Sequence, residues 1–494
     1  MHSFRLLLLL PSLLLAHLLS AQSSAPDLVL QGTVNGSLNK TYIDVPFQVP
    51  AGVHRLSVDF SYTARDQKTA LDLGIADPSR FRGNSGGNKS HFTIAESDAT
   101  PSYLPGPIPP GEWKLLLSVP NIHPAVIAAY RAEIRFNSEI EDSSFTTAAL
   151  ATGERWYRGD LHMHTAHSDC SCASQSGRRV PCPVFFTAQS AAQRGLDFIA
   201  ITDHNAMSQY EAMRELQPYF DKLLLIPGRE MTTFWGHFNI FGTTQYIDYR
   251  VQPGHDINAV LRDVRAHGAI ASINHADAPG GEICMGCVWE PQTPVDLSLL
   301  TGVEVINGGR FLLSSADVWD RSLAQGVHLT AIGGSDNHDG PAAPPDSTVI
   351  GVPATVVEAD ELSVPAILDG IRRGRVFVDL TGSRDRILDL DARLASADSA
   401  SPPAKMGDEI HAAAGATIDF QVHIANCQRS SVHLFLDGHE TPALVPLAST
   451  LGTETLPFTW KADGTRHWLR AEVRDSNNSL VLISSPIYIS PAVQ

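Results

Sequence analysis

Six cysteines in 494 residues are too few to hold a fold together by disulfides, so stability has to come from apolar cores. Basic residues are scarce as well. The 36 Lys and Arg against 53 Asp and Glu leave a formal charge of −17, which excludes a coat of cations for binding nucleic acid. An anionic small molecule is not excluded, because bound divalent cations reverse the local sign. After residue 21 no run is long and apolar enough to cross a bilayer. What is present is globular in character: 43% of residues are apolar, and the length implies two or three folded units.

The first residues, M-H-S-F-R, the run Leu6 to Leu19 and the small pair Ser20 and Ala21 have the layout of a secretory signal peptide over residues 1–21. An uncleaved anchor is the alternative. The expectation is an exported protein, periplasmic or secreted, whose cysteines can oxidise. Cys170, Cys172 and Cys182 follow one histidine motif, and Cys284 and Cys287 form a C-x-x-C; disulfides that pin loops are expected, with a four-thiolate zinc as the alternative. Cys427 reads as a buried thiol apart from these.

The texture of the chain changes twice. Residues 27–150 carry short alternating runs such as H-R-L-S-V-D-F-S-Y and W-K-L-L-L-S-V, divided by Gly and Pro, which predicts a β-sandwich-like domain; a helical period shows only near 126–132. Trp113, in P-P-G-E-W-K, is expected in that core rather than stacked on a sugar. From 155 to 385 strand and helix patterns alternate, as in F-I-A-I-T-D followed by Q-Y-E-A-M-R-E-L, which predicts α/β structure with parallel strands, in a barrel or an open sheet. Alternation of the β type returns over 388–494 in T-I-D-F-Q-V-H-I-A and W-L-R-A-E-V-R-D, predicting a second sandwich.

Metal-ligand residue types gather at the strand ends of the middle unit. D-L-H-M-H-T-A-H-S-D places His162 and His164 two apart, on one side of an extended segment, with Asp169 beyond. Asp203 and His204 end F-I-A-I-T; Glu230 ends L-L-L-I-P-G-R; His275 ends A-I-A-S-I-N; Asp336 and His338 end L-T-A-I-G-G-S. A single histidine at such a place has many bland explanations, but this many together point to a multinuclear metal centre.

These motifs, with G-x-E, the following G-H and S-D-x-H in the same order, resemble the polymerase and histidinol phosphatase (PHP) superfamily of metal-dependent hydrolases over residues 156–380. The β-rich segment before them and A-I-L-D-G-I-R-R-G-R-V-F-V at 366–378 are similar to its carbaryl-hydrolase-like (CehA/McbA) branch. The resemblance implies a distorted (β/α) barrel flanked by the two β-sandwich-like domains. It implies two or three divalent ions, zinc, manganese or iron: one held by His162, His164, Glu230 and Asp336, a second by Glu230, His237 and His275, a third by Asp169, His204 and His338. The chemistry it implies is hydrolysis of a small-molecule ester, phosphoester first, by metal-bound hydroxide, with His204, Asp169 or Asp336 in catalytic roles and no serine or cysteine nucleophile. A carboxylic or carbamate ester hydrolase on the same site is the alternative, and a non-catalytic binding or scaffold protein is the alternative of another class.

Other residues carry weaker expectations. Arg229 and Arg310 are candidates to clamp an anionic substrate. Asp203 is expected to orient a ligand and Glu304 either faces the pocket or makes a structural hydrogen bond, while His167 is expected outside the ligand set. Oligomeric state is not readable from the sequence.

Overall fold

The computed structural model describes residues 25–137, 148–308, 313–341, 348–398, 401–441 and 453–492. The expected signal peptide lies outside them, and no described helix is long and apolar enough to cross a membrane.

Alternation of apolar and polar residues builds the first unit. Leu56, Val58 and Phe60 of Arg55–Tyr62, and Trp113, Leu115, Leu117 and Val119 of Gly111–Asn121, point into one core between two four-stranded antiparallel sheets. Trp113 is fully buried there, and its Nε1 donates to the Pro109 carbonyl at 2.9 Å. The helical period near 126–132 loses to pairing. Ile127–Asn137 is a strand bound along its length by both Leu28–Asn35 and Arg55–Tyr62, and Ala128, Ala132 and Ile134 alternate inward.

The middle of the chain departs from the expected (β/α) barrel. Thr152–Asp160, Phe198–Ile201 and Leu224–Thr233 run parallel, but Gly236–Phe241 turns back antiparallel beside Leu224–Thr233, and Ile270–Ile273 is antiparallel to it in turn. Parallel pairing resumes with Gly302–Asn307 and Thr330–Gly334. The other flank of Thr152–Asp160 is antiparallel to Ala354–Glu361, which pairs with Val376–Asp379, and that strand pairs with Leu480–Ser484. The result is one mixed, 16-stranded sheet that runs out of the metal-ligand region into the C-terminal strands. Only five α-helices accompany it among the described residues, too few for an outer ring.

The physical reason is the hairpin at Thr233–Gly236. A parallel return needs a crossover of a dozen residues or more, and here Phe234 and Trp235 alone separate the two strands. Where helices do occur, their ends are written locally: Asp256 caps Ile257–Ala266 by accepting from the Ala259 amide at 3.0 Å, and Gly195, at φ +77°, closes Val184–Arg194 in the left-handed region. A further sheet, containing Ile387–Leu394, Thr417–Ala425 and Glu454–Lys461, packs Leu390, Phe420 and Val422 against Leu469, Ala471 and Leu482 of the long sheet.

The first unit is tied to the middle by charge. Asp98 takes both Nη atoms of Arg55, at 3.0 and 2.8 Å, and also Arg214 on the helix Gln209–Leu216. Glu211 on the same helix accepts from the Ala99 amide at 2.8 Å.

Candidate metal centre

The segment after Thr152–Asp160 stays extended. Met163 pairs with Asn337, and the Thr202 amide donates to the Met163 carbonyl at 2.8 Å. Leu161 and Met163 therefore enter apolar clusters while His162 and His164 face the opposite side, with ring centroids 5.3 Å apart. Asp160 anchors the start: its carboxylate, buried, accepts from the amides of His162, Ser335 and Gly351 at 3.1, 3.0 and 2.7 Å. Burial pushes its pKa up to about 6 despite those bonds.

Glu230 occupies the middle of the cluster, fully buried within Leu224–Thr233. Its two oxygens serve different histidines. Oε2 lies 3.4 Å from His162 Nε2, 3.6 Å from His164 Nε2 and 2.9 Å from His204 Nδ1. Oε1 lies 3.1 Å from His237 Nδ1 and 3.3 Å from His275 Nε2. His204 Nδ1 aims its hydrogen bond at Thr232 Oγ1 at 2.7 Å, and among the described residues Oε2 has no hydrogen-bonding partner.

Asp336 closes the first side, with Oδ1 3.3 Å from His162 Nε2 and 3.2 Å from His164 Nε2. At the more open edge Asp169 Oδ1 stands 3.3 Å from His338 Nε2 and 3.7 Å from His204 Nε2, and the His164 ring stacks between those of His338 and His204 at 3.9 and 4.4 Å. Asp336 and His275 hold φ of +52° and +24°, a region that side chains other than glycine rarely occupy and that functional sites retain.

The donor set fits cations. Among the described residues, four groups of these side chains bring their ligand atoms within 4.8 Å of one another: His164, Asp169, His204 and His338; His162, His164 and Asp336; His162, Glu230 and His275; His204, Glu230 and His237. His162 Nε2, Glu230 Oε2, His237 Nε2 and His275 Nδ1 are buried with no hydrogen-bond partner among the described residues, a cost that coordination removes. Burial opposes charge on Glu230 and Asp336, yet the imidazoles around them hold both carboxyls well below the usual range. Burial together with the neighbouring His338 and His204 pushes His164 down to about 3, which keeps it neutral and able to ligate.

All nine residues expected as ligands thus lie in one cluster. The grouping differs from that implied by the resemblance: His164 joins Asp169, His204 and His338, while Glu230 groups with His162 and His275 on one side and with His204 and His237 on the other. Of the two expected substrate arginines, Arg229 is not brought there. Arg229 precedes Glu230 on the strand and so takes the opposite face, where its Nη2 donates to the Gln245 carbonyl at 2.8 Å. Arg310 lies outside the described residues.

Around these side chains stand residues that hold them. Glu304 Oε1 is 3.0 Å from His162 Nδ1, and its Oε2 accepts from the His275 amide and from Asn307 Nδ2, each at 2.9 Å. Asp203 accepts from Thr165 and from Ser168 Oγ, which is 3.4 Å from His164 Nδ1, so it steadies the His164 loop. Asn274, which sequence reasoning missed, donates to Glu230 Oε1 at 2.9 Å; a polar residue ending an apolar strand beside a ligand was the available signal. His167 turns away to Ser208 Oγ at 2.7 Å. Cys172 and Cys182 form a disulfide, as do Cys284 and Cys287, which leaves no four-thiolate zinc site; Cys170 is buried beside the first pair. Cys427 is buried far from both, its Sγ 3.2 Å from the Ala425 carbonyl.

No family model matches the chain, and no curated protein matches it. Among solved structures it is similar to a two-domain protein of Bacteroides vulgatus containing a predicted PHP-like metal-dependent phosphoesterase, with 18% identity over 70% of this chain and 99% of that one and a TM-score of 0.38. It is also similar to the CARDB domain of a Pyrococcus furiosus protein, with 12% identity over 21% of this chain and 95% of that one and a TM-score of 0.14. Superpositions this loose leave the assignment of function to the site's own geometry.

Proposed function

We propose that the chain is a PHP-type metal-dependent hydrolase of the carbaryl-hydrolase-like branch, acting on a small-molecule phosphoester with two or three divalent ions in the 155–385 unit. The observation that carries this reading is Glu230. One buried carboxylate turns one oxygen to His162, His164 and His204 and the other to His237 and His275, the arrangement by which a carboxylate bridges two cations.

On the grouping that the resemblance implies, His162, His164, Glu230 and Asp336 would hold one ion, Glu230, His237 and His275 a second, and Asp169, His204 and His338 a third. Such ions, when bound, supply Lewis-acid polarisation of the phosphoryl oxygen and lower the pKa of a coordinated water. The protein's own residues do the rest. Glu304, Asn274 and Asp203 hold the ligands in position. Were that third ion absent, His204, whose Nε2 lies 3.7 Å from Asp169 Oδ1 at the accessible edge, would be placed to hand a proton to the leaving oxygen. Export is supported by the n-region, apolar run and small residues of 1–21.

Hydrolysis of a carboxylic or carbamate ester is a second reading, favoured by a cavity of about 590 Å³ in which Phe234, Trp235, Val251, Pro253 and Ile257 line the wall together with Gln252, Asp256, Gln292 and Thr293; Phe234 and Trp235 form the hairpin turn before His237. The test is the rate of hydrolysis of matched chromogenic phosphomonoester, phosphodiester and carboxylic ester substrates by metal-reconstituted protein, with a His162→Ala, His164→Ala double variant as control. Phosphoester cleavage lost in the variant supports the proposal. Cleavage of the carboxylic ester alone, equally dependent on the histidines, moves the protein to the second reading, and no cleavage of any leaves a binding protein.

A further inference from the structure

A sulfur approaches the same cluster from the loop after His275. Cys287 is 4% exposed, and its Sγ lies with one nitrogen of His237 and one of His275 such that all three donor atoms fall within 4.8 Å of one another. Once the contacts of these histidines with Glu230 are assigned, His237 Nε2 and His275 Nδ1 remain buried and without hydrogen-bond partners among the described residues. Two nitrogens and a sulfur at this spacing are a ligand set that the PHP resemblance does not contain.

The position of Cys287 is set by its backbone. Gly286, at φ +83°, sits so close to the hairpin that a Cβ there would meet the Thr233 carbonyl at 2.3 Å. The Trp289 amide donates to the Ala276 carbonyl at 3.0 Å, and the Glu290 amide to the Trp235 carbonyl at 3.1 Å. Residues 286–290 are thereby clamped to the turn that presents His237 and to the segment that carries His275.

Cys287 is joined to Cys284. A disulfide sulfur carries no charge and is a poor ligand, whereas a thiolate is among the strongest for zinc-like ions. We propose that the Cys284–Cys287 pair is a redox-controlled metal ligand: reduced, Cys287 joins His237 and His275 in holding one ion, and oxidised, it is withheld. The reductant is a small dithiol. Its attack breaks the Cys284–Cys287 bond, it leaves as its own cyclic disulfide, and its two protons end on Cys284 and Cys287; the Cys287 proton passes to solvent when the sulfur binds the cation. Reduction then shifts this position toward softer ions such as zinc or cobalt and away from manganese. The inference rests on the metal-centre reading above, and the test separates the two.

The full-length protein is stripped with a chelator, split into oxidised and phosphine-reduced samples, and titrated with Co(II). Absorption and bound cobalt are recorded for the wild type, Cys287→Ser and Cys284→Ser; both variants lose the disulfide, so their difference isolates the sulfur. A thiolate-to-cobalt charge-transfer band is expected in the reduced wild type, and in Cys284→Ser without reductant. It is expected to be absent from the oxidised wild type and from Cys287→Ser. Cobalt bound with ligand-field absorption but no such band, or a band that survives in Cys287→Ser, overturns the inference and leaves the metal centre standing with the disulfide as a loop staple. No cobalt bound in any sample removes the metal-centre reading and this inference with it.

Discussion

Glu304 Oε1 lies 3.0 Å from Nδ1 of His162, while its Oε2 takes the backbone amide of His275, so one carboxylate sets the ring of one candidate ligand and the main chain of another. Glu304→Gln keeps the shape and removes the charge that orients His162. Zinc affinity, measured by competition with a chromophoric chelator, is expected to fall by about 10- to 100-fold with the far-ultraviolet circular dichroism unchanged. Unaltered affinity would show that Glu304 serves only the fold.

Glu230→Gln should be more severe, because it removes the group facing both sets of histidines. Metal analysis is expected to show at least one ion fewer per chain, with hydrolysis reduced by more than about 100-fold, the upper end for groups that merely orient ligands. Full metal content in the purified variant would mean that this carboxylate does not bridge.

Metal should also stabilise the fold, since His162, Glu230, His237 and His275 bury donor atoms that no hydrogen bond among the described residues satisfies. Thermal unfolding followed with and without chelator is expected to show a lower midpoint in the stripped protein, restored by zinc; at a hundred times the dissociation constant the gain is about 2.7 kcal/mol. Identical midpoints would argue that the ions bind weakly or not at all.

The ligand cluster was legible because each short motif follows an apolar run such as Phe198–Ile201 or Ile270–Ile273, and such runs are buried on both faces with their ends at a rim. Strand direction was not legible in the same way. Periodicity reports which residues are buried, and it does not report which strand lies beside which; the two residues between Thr233 and Gly236 reverse the chain and add a strand before the next helix, Ile257–Ala266. Arg229 shows the same limit at one residue's scale, since a neighbour of a ligand on a strand faces away from it. Glu304 and Asn274 left only the faint signal of a polar side chain in an apolar strand.

Asp98 joins Arg55 of the first unit to Arg214 of the helix after His204, and the three side chains are almost wholly buried. Asp98→Ala would strand two guanidinium groups in that interface. A loss of about 3 to 5 kcal/mol in urea unfolding is expected, against little change for an exposed carboxylate such as Asp66→Ala. A loss below about 1 kcal/mol would mean that water reaches the pair.

A histidine in the C-terminal sheet gives a pH-dependent test remote from the metal centre. His423 Nε2 lies 2.6 Å from Asp391 Oδ2, and this bond raises the histidine's pKa above its ordinary 6.5 despite partial burial. A raised folded-state pKa contributes stability in full below the unfolded value of 6.5 and loses it as pH rises through the folded value. Asp391→Asn should therefore cost about 0.5 kcal/mol in weakly acidic solution, a figure discounted for solvent, and almost nothing in alkaline solution. A cost independent of pH would place the role of Asp391 in packing.

The pairing of Val376–Asp379 with Leu480–Ser484 joins strands separated by about a hundred residues of chain. Until the later strand arrives, the earlier one presents an open row of amides and carbonyls to any passing chain. Closing so long a loop is slow, and it competes with intermolecular pairing while the protein is still incomplete. The hazard in making this protein thus lies in the interval before that seam is sealed, which favours low temperature and dilute refolding for recovering folded material.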